Sequence, residues 1–524
     1  MIEHFSFFLV LVIAMILLII LANKIKVAYP ILLVVAGLLI SFLPGIPVMH
    51  INPELILIIF LPPLLYEAAW AISWKELWFW RRVISSFAFP VVFLTALSVA
   101  FVANAFIPGF SLALGFLLGG IVSPPDAVSA GAILKFVKLP KSMASMLEGE
   151  SLLNDASSLI IFRFAVLAVT TGQFIWYQAA LSFGWMVLGG IAVGLIVGWL
   201  FMKAHKFLPT DSRMDVVLTF VTPYVMYLAA EEVHSSGIMA VVSGGLLLSA
   251  KRNMFLSSSS RLRGFSVWES LVFVLNGLIF LMIGLDLPEI TSGLHGVSLS
   301  SAISYGLLIS AVLIVGRILT AYGAVIFTMI AKNFITVADT RNPGLKPPFI
   351  LGWAGMRGVV SLAAAFSIPL YMDDGTAFPQ RNLILFITFI VILTTLLVQG
   401  LTLPYIIKAF NITDRHQSMS EEEINNMIKK ELASYTYQYM TSNYADELNK
   451  SIFLWQFADK LKNKSHPDAD PTMPASVKTI YLDILNKQRE WLIKKNQSDV
   501  HLDEEIIRKH LYQLDMEEEK LQVL

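Results

Sequence analysis

The chain has 524 residues, with 56% of them hydrophobic and a mean hydropathy of +0.70. Such apolar excess excludes an ordinary soluble globule, and its long apolar runs separated by short basic loops mark a polytopic helical membrane protein. Zero net charge and the absence of cysteine exclude disulfides, thiolate metal sites, cysteine nucleophiles and a nucleic-acid-binding charge excess.

Thirteen apolar spans are predicted near 5–22, 28–43, 53–71, 84–104, 112–136, 143–170, 180–202, 214–231, 237–250, 266–286, 300–330, 347–370 and 382–407. The first is long enough to span, with no charged start or small-residue cleavage site, so no cleavable signal is expected. Loop charges alternate. One side receives Lys24/Lys26, Lys75/Arg81/Arg82, Lys135/Lys138/Lys141, Lys203/Lys206/Arg213, Lys251/Arg252/Arg261/Arg263 and Lys332/Arg341/Lys346, and the other only Arg381. The positive-inside rule then puts the N-terminus outside and the C-terminal tail in the cytoplasm.

Charge also divides the chain near Lys408, with 23 basic and 18 acidic residues up to that point and 15 and 20 after it. The membrane part is therefore expected over 1–408 and a cytoplasmic helical tail over 409–524. Within the tail, helix is predicted from Ser420 to about Lys464, near 475–496 and near 501–522, with a turn region at Ser465–Pro471. Regulation, assembly or a merely solvated appendage are all open roles for it.

Two spans are interrupted. The fifth holds Ser123-Pro124-Pro125-Asp126, whose prolines remove two backbone donors, and the twelfth holds Gly352-Trp353-Ala354-Gly355-Met356-Arg357-Gly358. Broken helices at membrane depth survive only where protein or water re-satisfies the backbone. Their separation by seven spans, an odd number, suggests two inverted repeats with crossed, broken helices, as in secondary transporters. Kinks of purely packing value are the plainer alternative.

The sixth span carries Glu150-Ser151-Leu152-Leu153-Asn154-Asp155. Charges at such depth are costly and normally face protein or a wet cavity. Helical phase puts Ser151 and Asp155 on one face and Glu150 and Asn154 on another. With Glu67, Asp126, Arg163, Arg317 and Arg357 they make up the intramembrane charges, for most of which mutual pairing is the bland explanation. Carboxylate, hydroxyl, amide and freed carbonyl oxygens are hard ligands suited to a dehydrated alkali cation. Asp126 and Arg357, one acid and one base at the two interruptions, suit compensation of the helix-end dipoles there, a transport role being the alternative that also keeps Asp126 among the candidate ion-site residues. Arg163 lies too far along the helix from Asp155 to ligate with it.

These segments resemble the cation/proton antiporter family. Glu-Ser-Leu-Leu-Asn-Asp-Ala from Glu150, Ser-Pro-Pro-Asp-Ala-Val from Ser123 and Gly-Trp-Ala-Gly-Met-Arg-Gly-Val-Val-Ser from Gly352 are similar to the family's hallmark segments. So are Phe60–Glu67 and Phe273–Leu281. Asn154-Asp155 matches the electroneutral sodium/proton exchanger branch, where the electrogenic branch has Asp-Asp. The resemblance runs from about 5 to 408 and leaves the tail uncovered.

The resemblance implies the all-α NhaA-like antiporter fold, working as a homodimer. Core helices would lie near 84–170 and 300–407, and dimerisation helices near 5–71 and 180–286. It further implies that Asp155 binds the ion (Na+ or H+) with Ser151 and unwound-helix oxygens near Ser123, that Glu150 pairs with Arg317, and that Glu67 lies near the ion path. Asn154 is expected to bond to the broken helices. The expected function is sodium/proton exchange across the plasma membrane, without enzymatic activity or cofactor. Potassium/proton exchange, a channel and a membrane sensor are the alternatives. No Gly-Lys-Ser/Thr phosphate loop or His-Glu-x-x-His motif supports the sensor reading.

Overall fold

A computed structural model describes residues 2–43, 53–134, 137, 139–172, 176–294, 296–332, 344–372, 375–412, 421–463, 475–499 and 502–523. The turn region at Ser465–Pro471 lies outside them. Among the described residues the fold is all-helical, and each predicted apolar segment meets a helix or a broken pair of helices.

The first three spans are α1 (Ile2–Ile25), α2 (Tyr29–Ser41) and α3 (Pro53–Ala71). The fourth is one rod of 33 residues, made of α4 (Trp74–Ser86), a π-helical turn (Phe87–Val91) and α5 (Val92–Phe106). The π turn coincides with Pro90, which has no N–H to give to the preceding turn. The Ser157 hydroxyl uses one of its loosened carbonyls, donating to Ala88 O at 2.5 Å.

The fifth span is broken into α6 (Leu112–Val122) and α7 (Ala127–Leu134), and α8 (Lys141–Thr171) follows. Next come α9 (Trp176–Phe207), α10 (Ser212–Glu232), α11 (Gly237–Phe255), α12 (Ser258–Leu285) and the short α13 (Leu287–Ser292). The second half closes with α14 (Leu299–Ala331), the broken pair α15 (Lys346–Trp353) and α16 (Val359–Phe366), and α17 (Arg381–Phe410). The order rod, broken pair, rod occurs twice, in α4–α8 and again in α14–α17. Among the described residues, seven helices are long and apolar enough to cross a membrane, and Leu9–Ile25, Tyr29–Ser41, Ile58–Ala71 and Leu112–Val122 are shorter apolar helices.

One apolar cluster joins both halves of the membrane part. Ile31 of α2, Ile133 of α7, Phe280 of α12, Met356 between α15 and α16, and Leu396 and Leu403 of α17 all belong to it and are buried. Burial of each large side chain contributes about 1.5–3 kcal/mol relative to water. In lipid that drive lapses between helices, and close packing takes its place.

Backbone contacts divide the chain into two compact units. The first holds Met1–Leu208, Val217–Arg252 and Val267–Thr413, and the second Pro209–Val216, Asn253–Ser266 and Asp414–Leu524. In the second, the helix predicted from Ser420 to about Lys464 is three: α18 (Glu421–Asn443), α19 (Ala445–Lys450) and α20 (Ile452–Asn463). Tertiary packing overrides propensity here. The Tyr444 hydroxyl is drawn to Asp483 at 2.5 Å, and Ser451, in extended conformation, caps Leu454 N–H at 3.4 Å. The turns let Leu448 and Leu454 fold back onto Met440 and Ile484.

Helices α21 (Ala475–Ser498) and α22 (Glu504–Val523) complete that unit, packing on α18 through Ile428, Leu485, Leu492 and Ile507. Buried Asp515 is held between two arginines: Arg261 Nε donates to its Oδ2 at 2.8 Å and Arg489 Nε to its Oδ1 at 3.2 Å. Glu518 accepts from Arg489 and, at 2.5 Å, from Ser258. Ser260 and Thr210 donate to Asp215 at 2.6 and 2.8 Å. This polar network ties the two short membrane-proximal segments to α21 and α22 inside one unit.

His510, on α22, is 4% exposed and titrates below its ordinary range, first because burial disfavours the charged ring, then because Lys429 on α18 and its neighbour Lys509 oppose it. A bond with Gln513 acts in the opposite direction. A depressed histidine lets the unfolded chain bind the proton first, so stability falls as pH drops through the unfolded value of about 6.5. The protection factors of α22 amides in the full chain should therefore fall below about pH 6.5, and His510→Gln should flatten that dependence. An unchanged pH profile in the variant would exclude His510 as the cause.

Candidate functional site

The site grows from the break between α6 and α7. With Pro124 and Pro125 unable to donate, carbonyls at the end of α6 and N–H groups at the start of α7 need other partners. Arg357, fully buried, meets the carbonyls. Its Nε donates to Val122 O at 2.7 Å, its Nη2 to Ser123 O at 3.2 Å and its Nη1 to Gly355 O. Its own N–H donates to Thr395 Oγ1 of α17 at 3.2 Å. One guanidinium thus faces the C-terminal ends of both α6 and α15, where partial negative charge collects.

Asp126 meets the N–H groups. Its carboxylate accepts from Val128 N at 3.3 Å, from Ser129 N at 3.0 Å and from Ser129 Oγ at 2.5 Å, all in the first turn of α7. It also abuts the start of α16. A Cβ on Gly358 would stand 2.2 Å from Asp126 Oδ2, so only glycine fits there. Asp126 N donates to Met356 O at 2.7 Å, joining the two breaks directly.

Helix α8 crosses beside these breaks. Ser151 Oγ and Asn154 Nδ2 both donate to Pro125 O, at 3.3 and 3.4 Å. The carbonyl turned toward α8 is therefore that of Pro125, while Ser123 O is taken by Arg357. Ser123 Oγ and Asn154 Oδ1 are buried oxygens without a hydrogen-bond partner among the described residues. Asp155 and Ser151 keep 7% and 8% exposure, against 0% for Asn154. Asp126 lies within electrostatic range of Asp155. Ser151, Asn154 and Pro125 O meet here with Asp155 on the same helix, and hydroxyl, amide, carboxylate and backbone oxygens are hard ligands that suit a small hard cation.

Glu150 faces away from that set. It meets Arg317 of α14 in a two-pronged pair, Nη1–Oε1 and Nη2–Oε2 both at 2.8 Å, with side chains 3% and 2% exposed. Arg317 runs past the second break so closely that a Cβ on Gly355 would lie 2.2 Å from its Cδ. The α8 hydroxyls of Ser157 and Ser158 bond backward to Asn154 O and Asp155 O, at 2.9 and 3.0 Å. Glu67 on α3 is separate: its electrostatic neighbours are Glu148 and Glu269. Arg163 is turned to Glu231 of α10 at 2.7 Å.

Sequence reasoning missed three parts of this arrangement. The π turn was signalled by Pro90 inside an apolar span. Thr395 sits mid-span with no pattern to mark it. Ser157, lying two residues past Asp155, carries no sequence signal of its own.

Two helix breaks met by a half-buried acid, Asp126, and a buried base, Arg357, beside a carboxylate-bearing helix are an arrangement found in secondary transporters. The fold is similar to that of the sodium proton antiporter MjNhaP1 from Methanocaldococcus jannaschii, with a TM-score of 0.60 at 18% identity over 77% of this chain and 98% of that one. Residues 10–409 match the sequence model of the transmembrane sodium/hydrogen exchanger, and the chain belongs to that family.

Among relatives, a sodium, potassium, lithium and rubidium/H+ antiporter of Bacillus subtilis is 37% identical over 385 residues, covering 72% of this chain and 57% of the relative. The low-affinity Na+/H+ antiporter NhaS1 of Synechocystis is 32% identical over 407 residues, covering 76% of this chain and 73% of the relative. The chain thus spans little more than half the length of the Bacillus protein.

Proposed function

We propose that the protein is a secondary active transporter, not an enzyme, exchanging sodium, and lithium as a close mimic, for protons one for one by alternating access. The observation that carries this reading is Asp155 on one helical face with Ser151 beside the helix break, both buried, with Ser151 and Asn154 bonded to Pro125 O. Asp155 binds either a proton or the cation. An empty carboxylate would carry its charge through low dielectric at heavy desolvation cost, so only the occupied, neutralised site crosses. Glu150 is committed to Arg317 and position 154 is an amide, leaving one acid on this stretch to exchange one charge for one.

In this reading Asp126 and Arg357 neutralise the helix ends, Asn154 braces the crossing, and Ser123 and Glu67 line the route to it. The helices near 84–170 and 300–407 form the moving core, those near 5–71 and 180–286 the dimerisation domain of a homodimer. The protein sits in the plasma membrane with its N-terminus outside and residues 409–524 in the cytoplasm. No cofactor takes part; monovalent cations, protons and the bilayer are the partners.

Potassium is the second reading, favoured by the ion range in the Bacillus relative's name. Proteoliposomes with an internal pH dye decide between them. Sodium and lithium pulses should move protons, choline should not, and an imposed membrane potential should leave the rate unchanged. Potassium-driven flux exceeding sodium-driven flux would transfer the assignment to potassium, and a voltage-dependent rate would overturn one-for-one exchange.

A further inference from the structure

Arg163 stands eight residues beyond Asp155 on α8, about 12 Å along the axis. Its Nη2 donates to both carboxylate oxygens of Glu231, at 2.7 Å each. Glu231 is the penultimate residue of α10, and its Oε1 also accepts from Gly237 N, the first residue of α11, at 3.3 Å. A single carboxylate therefore binds the α10–α11 corner to α8.

Asp155 is enclosed along α8, with Leu147 7% and Ser151 8% exposed on its N-terminal side. Toward the C-terminal end, Ser158 is 1%, Leu159 9% and Phe162 7% exposed. The Arg163–Glu231 pair lies directly beyond that closed stretch, its side chains 42% and 30% exposed. The stretch of α8 between Asp155 and the ion pair is thus closed in this structure. Because the pair is exposed, its hold is modest and reversible, which suits a contact that must break once per cycle.

We propose that Arg163 and Glu231 form a latch that keeps the site closed at the C-terminal end of α8 and sets the balance between the two access states. The proposal rests on the alternating-access reading above, in which α8 moves with the core while α10 and α11 stay with the dimerisation domain. A ligand-free two-state equilibrium shifts by as much as one contact contributes to one state. For an exposed pair that is about two- to fivefold.

The cysteine-free chain allows a direct test. Leu159→Cys places one thiol in the closed stretch, and a membrane-impermeant maleimide applied from the side of the α8 C-terminus reads how often that stretch opens. Adding Arg163→Gln or Glu231→Gln should raise the labelling rate about two- to fivefold, as should high salt on the parent. The swap Arg163→Glu with Glu231→Arg should bring the rate back toward the parent. Two independent neutralisations keep the test alive if one variant misfolds. Unchanged labelling in both, or a swap that labels as fast as the single variants, would overturn the latch. Exchange assayed in the same vesicles separates the two claims: absent exchange with shifted labelling defeats the transport reading and leaves the latch.

Discussion

Arg317→Leu should destabilise the protein by about 3–5 kcal/mol, and Glu150→Leu should do comparable damage. Both side chains are nearly inaccessible, at 2% and 3%, and each charge finds its opposite in the other at 2.8 Å. Removing one leaves a buried charge with nothing to compensate it, and that stranded charge, not the lost attraction, is the larger cost. The double variant Glu150→Leu with Arg317→Leu should recover most of the loss, since a buried pair and an apolar pair of similar volume differ little. Gly355→Ala should be damaging by another route, because its Cβ would collide with Arg317 Cδ. Thermal unfolding of the full chain in detergent measures all four. Additive losses in the double variant would show that the two residues do not act as a unit.

Asp155→Asn should reduce sodium-driven proton flux to that of empty vesicles while leaving the fold intact. An amide nearly preserves the shape of the carboxylate but can neither release a proton nor neutralise a cation. Asp155→Glu keeps the titrating group and shifts it by one methylene, so a fraction of the flux should survive. Ser151→Ala removes a hydroxyl from the same helical face and from Pro125 O. Its sodium KM should rise by about tenfold, equivalent to one good hydrogen bond, with the maximal rate less affected. Flux in Asp155→Asn at the level of the parent would place the exchanging acid elsewhere.

The fold was legible where sequence carries strong local signals. Apolar runs of spanning length announced the membrane helices, and Pro124-Pro125 and the glycines from Gly352 to Gly358 announced the breaks. A proline or a glycine run changes the backbone whatever surrounds it. The single helix expected from Ser420 was wrong because propensity alone could not foresee Tyr444 reaching Asp483, nor Ser451 starting a new helix. In the site, helical phase separates Glu150 from Asp155, since four- and five-residue spacings fix faces. No local signal could say that Pro125, and not Ser123, turns its carbonyl to α8, because that depends on Arg357 arriving from 234 residues away. Glu150 and Arg317 lie 167 residues apart, and their pairing entered through family resemblance, not spacing. Ser157 escaped notice because its partner is a carbonyl in a π turn, a feature of backbone hydrogen bonding and not of composition.

The central claim is that one carboxylate binds sodium or a proton, never both. Sodium-dependent proton exchange measured over a pH series, at saturating and at limiting sodium, tests it most directly. Competition requires the apparent sodium KM to rise by about tenfold for each unit of pH below the pKa of the site, at an unchanged pH in and out, while saturating sodium restores the same binding-limited rate. A sodium KM independent of pH, with the maximal rate alone falling, would mean that proton and sodium occupy different groups and would contradict the account.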